Sequence, residues 1–285
     1  MRNSSIRYVV LIALMFGLCS WGEKAHRKIN SASVEFFPRD IRHLKSWLPV
    51  LADHASDADQ RKHDDKNEFV KHFIDIDNYD DFVLNRCIEE NFENACTKYG
   101  KARVMKDGTL PWVTDSTYKA LVASFKSGSW DQAALTAADL GHYVGDGFMP
   151  LHITANYDGQ LSLQKGIHRR YEETMIDQHI EGVRLKVSEI RRIKDVPSYI
   201  FKYLYANNSY VGLLLQADSR AYELSSNKYD EVYYSSLWSK TDLLTTRLLE
   251  ESAKTLASLI YTAWLEAGSP KIPVESVKQK RAKKK

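Results

Sequence analysis

The stretch LGHYVGDGFMPLH, residues 140–152, contains two histidines and one aspartate among mostly apolar residues. The preceding residues favour a helix, on which His142 and Asp146, four residues apart, would project from the same face. Pro150 predicts the end of that helix, and His152 follows it and is free to turn back. Imidazole and carboxylate groups placed together are zinc ligands. By itself, the stretch is equally compatible with a surface His–Asp pair at a helix end.

Helical periodicity extends over most of the chain. The segment ALVASFKSGSWDQAALTAADLGHYVGD predicts two helices broken at Gly128, and WGEKAHRKINSASVEFF predicts another near the N-terminus. Residues 243–268 predict a long amphipathic helix with Leu249 and Leu256 on one stripe, ended by Gly268. Alternating strand patterns with tight-turn signals are missing from the sequence. The chain is therefore predicted to be all-α, as a single multi-helix domain.

The charges are concentrated at the two ends of the chain. The sequence is 44% hydrophobic and 27% charged, as expected of a globular protein, and its net charge is +3. Two cations, Arg2 and Arg7, precede the domain, and six more lie in residues 278–285. Without these eight the body carries −5, so it has no general basic surface for nucleic acid.

Residues 1–20 have the pattern of a secretory signal peptide. A basic start precedes an apolar run that is short for a membrane span, and the small Ser20 lies before Trp21. Cleavage before Trp21 predicts a secreted or periplasmic protein; an uncleaved membrane anchor is the alternative. The helical domain would then cover 21–270. The basic tail 271–285 is predicted to be disordered, either as a solubilising end or as a contact with a membrane surface or another polyanion.

Three loops are predicted between the helices. They lie around Asp57–Lys66, Cys87–Gly108 and Asn156–Gly166. Export would permit a local disulfide between Cys87 and Cys96, and two free thiols are the alternative.

Three further histidines have acids or apolar residues as neighbours. His168 and Glu172 are four residues apart in GIHRRYEETM, as expected for one helical face. His72 lies among apolar residues, where an unpartnered imidazole would be costly, and His26 lies five residues after Trp21. With the two histidines of residues 140–152, this makes five such histidines in a helical, exported chain. The pattern indicates a multinuclear zinc site.

The set of Trp21, His26, HF at 72–73, HYVGD…PLH and HRRYE resembles the zinc-dependent phospholipase C and S1/P1 nuclease superfamily. The matching motifs cover residues 21–172, somewhat more than half of the mature chain. Members of this superfamily resemble one another as all-helical secreted enzymes with three zinc ions in one cleft. The resemblance therefore implies a trinuclear zinc cleft in a phospholipase C/P1 nuclease-like domain, and hydrolysis of phosphodiesters by metal-activated water.

The resemblance also implies the ligands of each zinc ion. The first ion would take an upstream aspartate with His72, His142 and Asp146; the second His152, His168 and Glu172; the third His26 and the amino nitrogen and carbonyl of Trp21, with Asp146 bridging. Asp57 matches the Asp-x-acid pattern of the phospholipase branch, and Asp59 the Ala-Asp pattern of the nuclease branch. Asp57 is preferred as the ligand. It is also the predicted catalytic residue, accepting a proton from the attacking water.

The motifs do not decide whether the substrate is a lipid or a nucleic acid. Glu172 favours the phospholipase branch, as does Phe69, which corresponds to an aromatic wall for a choline-like headgroup; a buried core aromatic is the alternative for Phe69. Two features favour the nuclease branch: the phospholipase branch carries an aromatic residue at the position of Ala58, and the step from Trp21 to His26 is short.

The predicted function is a secreted, zinc-dependent, phospholipase C-like hydrolase of phospholipids. The alternatives are an S1/P1-type single-strand nuclease and an inactive exported zinc-binding protein.

Overall fold

The structure is a computed structural model that describes residues 22–273. Trp21, the predicted signal peptide and residues 274–285 of the predicted tail lie outside the described residues, so those predictions stay predictions. Within the described range the chain is all-helical without a β-strand and forms one domain, which confirms the predicted fold class at that level. No helix in residues 22–273 is both long enough and apolar enough to cross a bilayer.

Most of the described residues belong to helices. The α-helices, in chain order, are α1 (Glu23–Ser33), α2 (Leu48–Asp53), α3 (Asp57–Arg61), α4 (Asp80–Asn85), α5 (Phe92–Ala95), α6 (Lys101–Lys106), α7 (Leu110–Ser127), α8 (Trp130–Phe148), α9 (Ile167–Arg169), α10 (Ile176–His179), α11 (Val196–Asn208), α12 (Val211–Leu224) and α13 (Glu231–Glu266). Short 3₁₀ segments lie at Val34–Phe36, Arg39–Trp47, Phe69–Lys71, Ile76–Asn78, Pro150–His152 and Ile180–Gly182, and π-helical turns at Cys96–Gly100 and Arg170–Met175.

Helices α7 and α8 are the two helices predicted on either side of Gly128, and they pack against each other. Gly128 ends α7 with a φ of 70°, in the left-handed region that glycine adopts without a steric penalty. Its N–H donates to the carbonyl of Phe125, which satisfies one of the last carbonyl groups of the helix. Helix α8 then ends at Phe148, two residues before Pro150.

Helix α8 lies at the centre of the domain, packed against α1, α2, α7, α11 and α13. Small residues such as Ala138, Gly141 and Gly145 are buried along it and allow the neighbouring helices to approach closely. The side-chain amide of Asn30 on α1 donates to the carbonyls of Ala138 (3.1 Å) and Leu51 (2.9 Å). These two hydrogen bonds join α1, α2 and α8 in a fixed arrangement.

Helix α13 is the long amphipathic helix that the sequence predicts. It spans 36 residues, and the Asp230 side chain caps its first turn by accepting from the N–H of Tyr233. Leu249 and Leu256 on the predicted stripe are fully buried, and the helix ends just before Gly268. The buried stripe is part of the apolar core, and through it α13 packs against α1 and α8.

Two of the three predicted loops contain helices, and those parts of the prediction are wrong. Helix α3 begins the segment 57–66, and α5, a π-helical turn and α6 occupy most of the segment 87–108. These helices have only four to six residues and depend on burial of single side chains such as Ala95 and Val104. The segment 156–166 is a loop, as predicted. Cys87 and Cys96 are free thiols in the structure.

Candidate metal centre

The predicted ligands in the described range, with the exception of Asp57, lie close together. They belong to three groups in which nitrogen and oxygen ligand atoms lie within 4.8 Å of one another and could hold metal ions. The groups are His26, His142 and Asp146; Asp59, His72 and His142; and His152, His168 and Glu172. All of these residues are buried except Asp59, which is half-buried.

Helix α8 supplies the centre of the site. His142 and Asp146 lie one turn apart and are fully buried, with 3.4 Å between Nε2 and Oδ2. Pro150 begins a 3₁₀ turn after the helix, and this turn brings His152 back towards Asp146, with 3.7 Å between Nδ1 and Oδ1. The structure therefore brings together the three polar side chains of residues 140–152.

The Asp146 carboxylate connects the groups to one another. Its Oδ2 lies 2.9 Å from His72 Nδ1, and its Oδ1 lies 3.5 Å from His26 Nε2. Burial opposes ionisation of this carboxyl group, but the neighbouring His142 and His152 outweigh it and hold the pKa of Asp146 well below its usual value. Asp146 is therefore an anion in the interior, surrounded by imidazoles from three parts of the chain.

Backbone carbonyl groups orient three of the imidazoles. The Nδ1 atoms of His142, His152 and His168 face the carbonyl oxygens of Ala55 (2.8 Å), His72 (2.6 Å) and Tyr157 (3.1 Å) respectively. With the proton assigned to Nδ1, each ring donates to its carbonyl and leaves the Nε2 lone pair as the ligand atom. This arrangement of a second hydrogen bond behind a ligand histidine is common at metal sites.

The group of His152, His168 and Glu172 shows the best fit to a cation. Glu172 Oε1 lies 3.0 Å from His168 Nε2, and Oε2 lies 3.3 Å from His152 Nε2. Although they lie 3.0 Å apart, the buried atoms His168 Nε2 and Glu172 Oε1 do not form a hydrogen bond with each other or with another group. Unsatisfied buried polar atoms are costly, and a bound metal ion would satisfy both.

Protonation of His152 would compete with metal binding at this group. Burial opposes its protonated form, but the charges of Asp146 and Glu172 outweigh burial and raise the pKa of His152 to about 9. Burial, together with the nearby His26, lowers the pKa of His142 to about 3. Without metal at pH 7, His152 is therefore protonated and His142 is neutral.

Zinc uptake is expected to release a proton from His152. Only neutral imidazole binds zinc, so affinity should rise by roughly tenfold per pH unit between pH 7 and the pKa of about 9, and level off above it. Calorimetric titration with zinc in buffers of different ionisation enthalpy measures the proton count. His152→Gln should release about one proton fewer at pH 7 than the unmodified protein. An equal count in the two proteins would contradict the prediction.

Asp59, and not Asp57, lies at the site. The Asp57 carboxylate accepts a hydrogen bond from His54 (2.6 Å) and its side chain is 36% exposed. Asp59 Oδ1 lies 3.6 Å from His142 Nε2 and 3.7 Å from His72 Nδ1. Asp57 and Asp59 are two residues apart on α3, so their side chains project from opposite faces of the helix. Only one of these carboxylates can therefore reach the histidines. The geometry does not support the preference for Asp57, and we therefore consider Asp59 for the ligand and proton-acceptor roles.

Substitution of the two aspartates is expected to separate their roles. Asp59→Asn should lower zinc-dependent turnover by roughly hundredfold, because it removes an anionic ligand and a proton acceptor. Asp57→Asn, two residues away, is the matched control and should remain within about threefold, since Asp57 contacts His54 at the surface. Steady-state turnover and bound zinc are measured for both. A larger loss for Asp57→Asn than for Asp59→Asn would favour Asp57 as the ligand.

A cavity of about 230 Å³ opens on the site. His72, His152 and His168 form one part of its lining, and the remainder is Lys62, Phe69, Phe73, Asp75, Lys106, Leu151 and Tyr157. Phe69 is 40% exposed and contacts Phe73 edge to face, so it forms part of the wall and is not a core residue. Its predicted role in substrate binding stays a prediction, but the buried-core alternative does not fit.

The sequence reasoning did not identify Glu68. This residue is buried, and its carboxylate accepts hydrogen bonds from Lys71 (2.6 Å) and from the hydroxyl of Tyr143. Its Oε1 lies 3.7 Å from His72 Nε2, on the side of the ring away from Asp146. The spacing of four residues between Glu68 and His72 was the available signal. Glu68 is placed to orient the His72 ring rather than to bind metal directly.

Asp75 is a second residue that sequence reasoning missed. It lines the cavity, and its buried Oδ1 has no hydrogen-bond partner. Burial and the nearby carboxylates of Asp77 and Asp107 raise the pKa of Asp75 to about 7. Near neutral pH this carboxyl group can therefore either donate or accept a hydrogen bond from a molecule in the cavity.

The start of the described chain lies beside the same site. Gly22 donates its backbone N–H to the carbonyl of Glu172 (3.4 Å), and His26, one turn into α1, stacks on the ring of His142. Trp21 lies outside the described residues, so its predicted role as an amino and carbonyl ligand stays a prediction.

The fold and the site together define an all-helical protein with a buried, histidine- and carboxylate-rich centre that could hold metal ions. No protein-family model matches the chain, and no curated protein matches it. The superfamily resemblance therefore stays a prediction carried by the motifs alone.

Proposed function

We propose that this protein is a secreted zinc-dependent phosphodiesterase that hydrolyses phospholipids in the manner of a phospholipase C. The main support is the meeting of five histidines and three carboxylates from distant parts of the chain in three neighbouring groups, two of which share His142, beside one cavity. The ligand set contains nitrogen and oxygen but no cysteine, whereas structural zinc sites are usually closed and rich in cysteine. A purely structural role is therefore the weaker interpretation.

The proposed zinc ions would use the residues of these three groups, with Asp146 between the first and the third ion because its oxygens lie 2.9 Å from His72 and 3.5 Å from His26. One ion takes Asp59, His72, His142 and Asp146; a second takes His152, His168 and Glu172; a third takes His26 and Asp146 with the predicted amino end at Trp21. Bound zinc would lower the pKa of a water molecule towards about 7 and polarise a phosphoryl oxygen.

The surrounding residues supply proton transfer and charge. Asp59 is the proposed acceptor of the proton from the attacking water, because its side chain is 20% exposed and remains accessible. Burial opposes ionisation of Asp59, but His142 and Lys62 outweigh it and hold its pKa below the usual value. Lys62 and Lys106 line the cavity, where their ammonium groups can hold the oxygens of a phosphodiester.

The cavity walls and the net charge favour lipid as the substrate. Phe69, Phe73 and Tyr157 offer aromatic faces to the cavity, and a quaternary ammonium headgroup can lie against such a face by cation–π attraction. The body of the chain, with its charge of −5, does not favour a long polyanion.

A single-strand nuclease is the second candidate. The observation that favours it is the position of Asp59 at the site, because Asp59 belongs to the Ala-Asp pattern of the nuclease branch. The aromatic walls would then hold an unstacked base.

Two substrates tested side by side distinguish the candidates. Mature protein beginning at Trp21 is assayed for bound zinc, then for hydrolysis of a chromogenic phosphocholine ester and of single-stranded DNA, each with and without a chelator. Zinc-dependent hydrolysis of the ester is expected to dominate. Dominant cleavage of DNA would support the nuclease, and zinc binding without either activity would support the inactive binding protein.

Phe69 provides a sharper test of headgroup recognition. Phe69→Ala should raise KM for the phosphocholine ester and leave zinc content unchanged. The matched variant Phe69→Leu keeps the apolar volume but removes the ring. Equal KM values for the leucine variant and the unmodified protein would exclude an aromatic contact with the headgroup.

A further inference from the structure

The loop of residues 154–166 carries two large apolar side chains that are mostly or fully exposed to solvent. Leu161 is 73% exposed and Leu163 is 100% exposed, although apolar side chains of this size usually bury part of their surface. Leu163 has a φ of 60°, in the left-handed region that leucine rarely adopts. The backbone of the loop therefore holds these side chains outwards in a conformation that is unfavourable for a leucine.

Hydrogen bonds within the loop fix this conformation. The donors and acceptors are Leu161 N to Asn156 Oδ1 (2.8 Å), Ser162 N to Gly159 O (3.1 Å), Gln164 N to Gly159 O (2.9 Å), Gly166 N to Asp158 O (3.0 Å), Gln160 Nε2 to Ala155 O (2.6 Å) and Asn156 Nδ2 to Ser162 Oγ (3.0 Å). These polar groups already have partners inside the loop. Their transfer from water to an apolar medium is consequently much less costly than for an open loop.

The tip of the loop, residues 159–164, contains no charged side chain. The nearest charges on the loop are Asp158 and Lys165, one on each side of the tip, so they cancel. An uncharged tip can leave water without the desolvation cost of an ion.

The tip lies close to the candidate metal centre. Tyr157 lines the cavity, and its carbonyl accepts a hydrogen bond from His168. Leu163 precedes His168 by only five residues, so their Cα atoms are at most about 18 Å apart. The other end of the loop begins two residues after His152, which is also at the site.

We propose that the tip of this loop inserts Leu161 and Leu163 into a phospholipid surface and thereby places the cavity at the headgroups. Two exposed leucines at an uncharged tip, in a loop whose conformation is held by its own hydrogen bonds, provide the apolar area that such insertion buries. The use of this contact in catalysis rests on the proposed phospholipase function, whereas the contact itself is a property of the loop. The competing hypothesis is that a second copy of the chain covers the two leucines.

Vesicle flotation tests the proposal with the zinc-loaded protein. The probe is vesicles of the phosphonate analogue of phosphatidylcholine, whose P–C bond is not hydrolysed, so the surface stays intact during the measurement. The double variant Leu161→Ser/Leu163→Ser should bind these vesicles at least roughly tenfold more weakly than the unmodified protein. Leu243→Ser, at an 84% exposed position of α13, is the matched control and should bind as the unmodified protein does.

The activity on a soluble ester separates the inference from the proposed function. The double variant should hydrolyse the chromogenic phosphocholine ester at the unmodified rate, because neither leucine is part of the cavity lining. Unchanged vesicle binding by the double variant would overturn the insertion. The insertion would also be overturned if the unmodified protein bound no vesicles and instead formed a dimer that the two substitutions dissociate. Leucine-dependent vesicle binding without ester hydrolysis would uphold the insertion and refute the phospholipase function.

Discussion

Asp146→Asn is expected to lower phosphodiester turnover by at least roughly 10³-fold, with loss of bound zinc, because one carboxylate lies between several ligand histidines. Its oxygens lie 2.9 Å from His72 and 3.5 Å from His26, so this carboxylate links histidines of two different groups. Asparagine keeps the shape of the side chain but removes the negative charge that would hold the proposed zinc ions. Zinc content by elemental analysis and turnover on the phosphocholine ester are the measurements.

A control on the same helix isolates the effect of charge. Asp131→Asn removes an exposed carboxylate in the first turn of α8 and should retain full zinc and turnover. Circular dichroism of both variants checks that the helices are intact. If the Asp146 variant kept its full zinc content and activity, the three groups would not act as one shared centre, and the proposed function would lose its main support.

Short-range spacing explains which parts of the site could be predicted. His142 with Asp146, and His168 with Glu172, are four residues apart, so a helical segment places each pair on one face whatever the rest of the chain does. The position of His152 beyond the helix could be predicted from Pro150, because the ring of a proline is incompatible with a continuing helix. These contacts depend on local backbone structure, which a sequence pattern shows directly.

The choice between Asp57 and Asp59 depended on tertiary packing. Helix α3 has five residues, and burial of Ala58 sets which of its faces turns inwards. A helix this short has no hydrophobic periodicity of its own, so its orientation follows the surrounding core. Asp59 therefore faces the histidines for a reason that lies outside its own segment.

Glu68 and the short helices were missed for a related reason. Glu68 contacts Tyr143, a residue 75 positions away, and no pattern in a single sequence pairs these two side chains. Helices α5 and α6 bury only one residue each, Ala95 and Val104, so no repeated pattern marks them in the sequence. Helix α8 and residues 243–266 of α13 were predicted because many of their residues repeat the same signal, whereas the first twelve residues of α13 were not predicted.

Packing around α8 leads to the second large effect. Gly141→Ala is expected to lower the free energy of unfolding by about 3 kcal/mol, since overpacking of a rigid core is destabilising. A Cβ atom at this position would lie 2.0 Å from Asn30 Oδ1 and 2.7 Å from Leu256 Cδ2. Asn30 cannot move aside without losing its hydrogen bonds to Leu51 and Ala138.

The same substitution should also weaken the metal centre, because α1 carries His26 and would be displaced from α8. Denaturant unfolding of the zinc-free protein measures the packing cost, and zinc titration measures the loss at the site. Gly212→Ala is the matched control: no atom lies within 4 Å of its added Cβ, so alanine should be neutral or stabilise α12 by up to about 1 kcal/mol. Equal stability of the two variants would show that α1 and α8 are not packed as closely as the fold requires. The proximity of His26 on α1 to Asp146 on α8 would then be wrong as well.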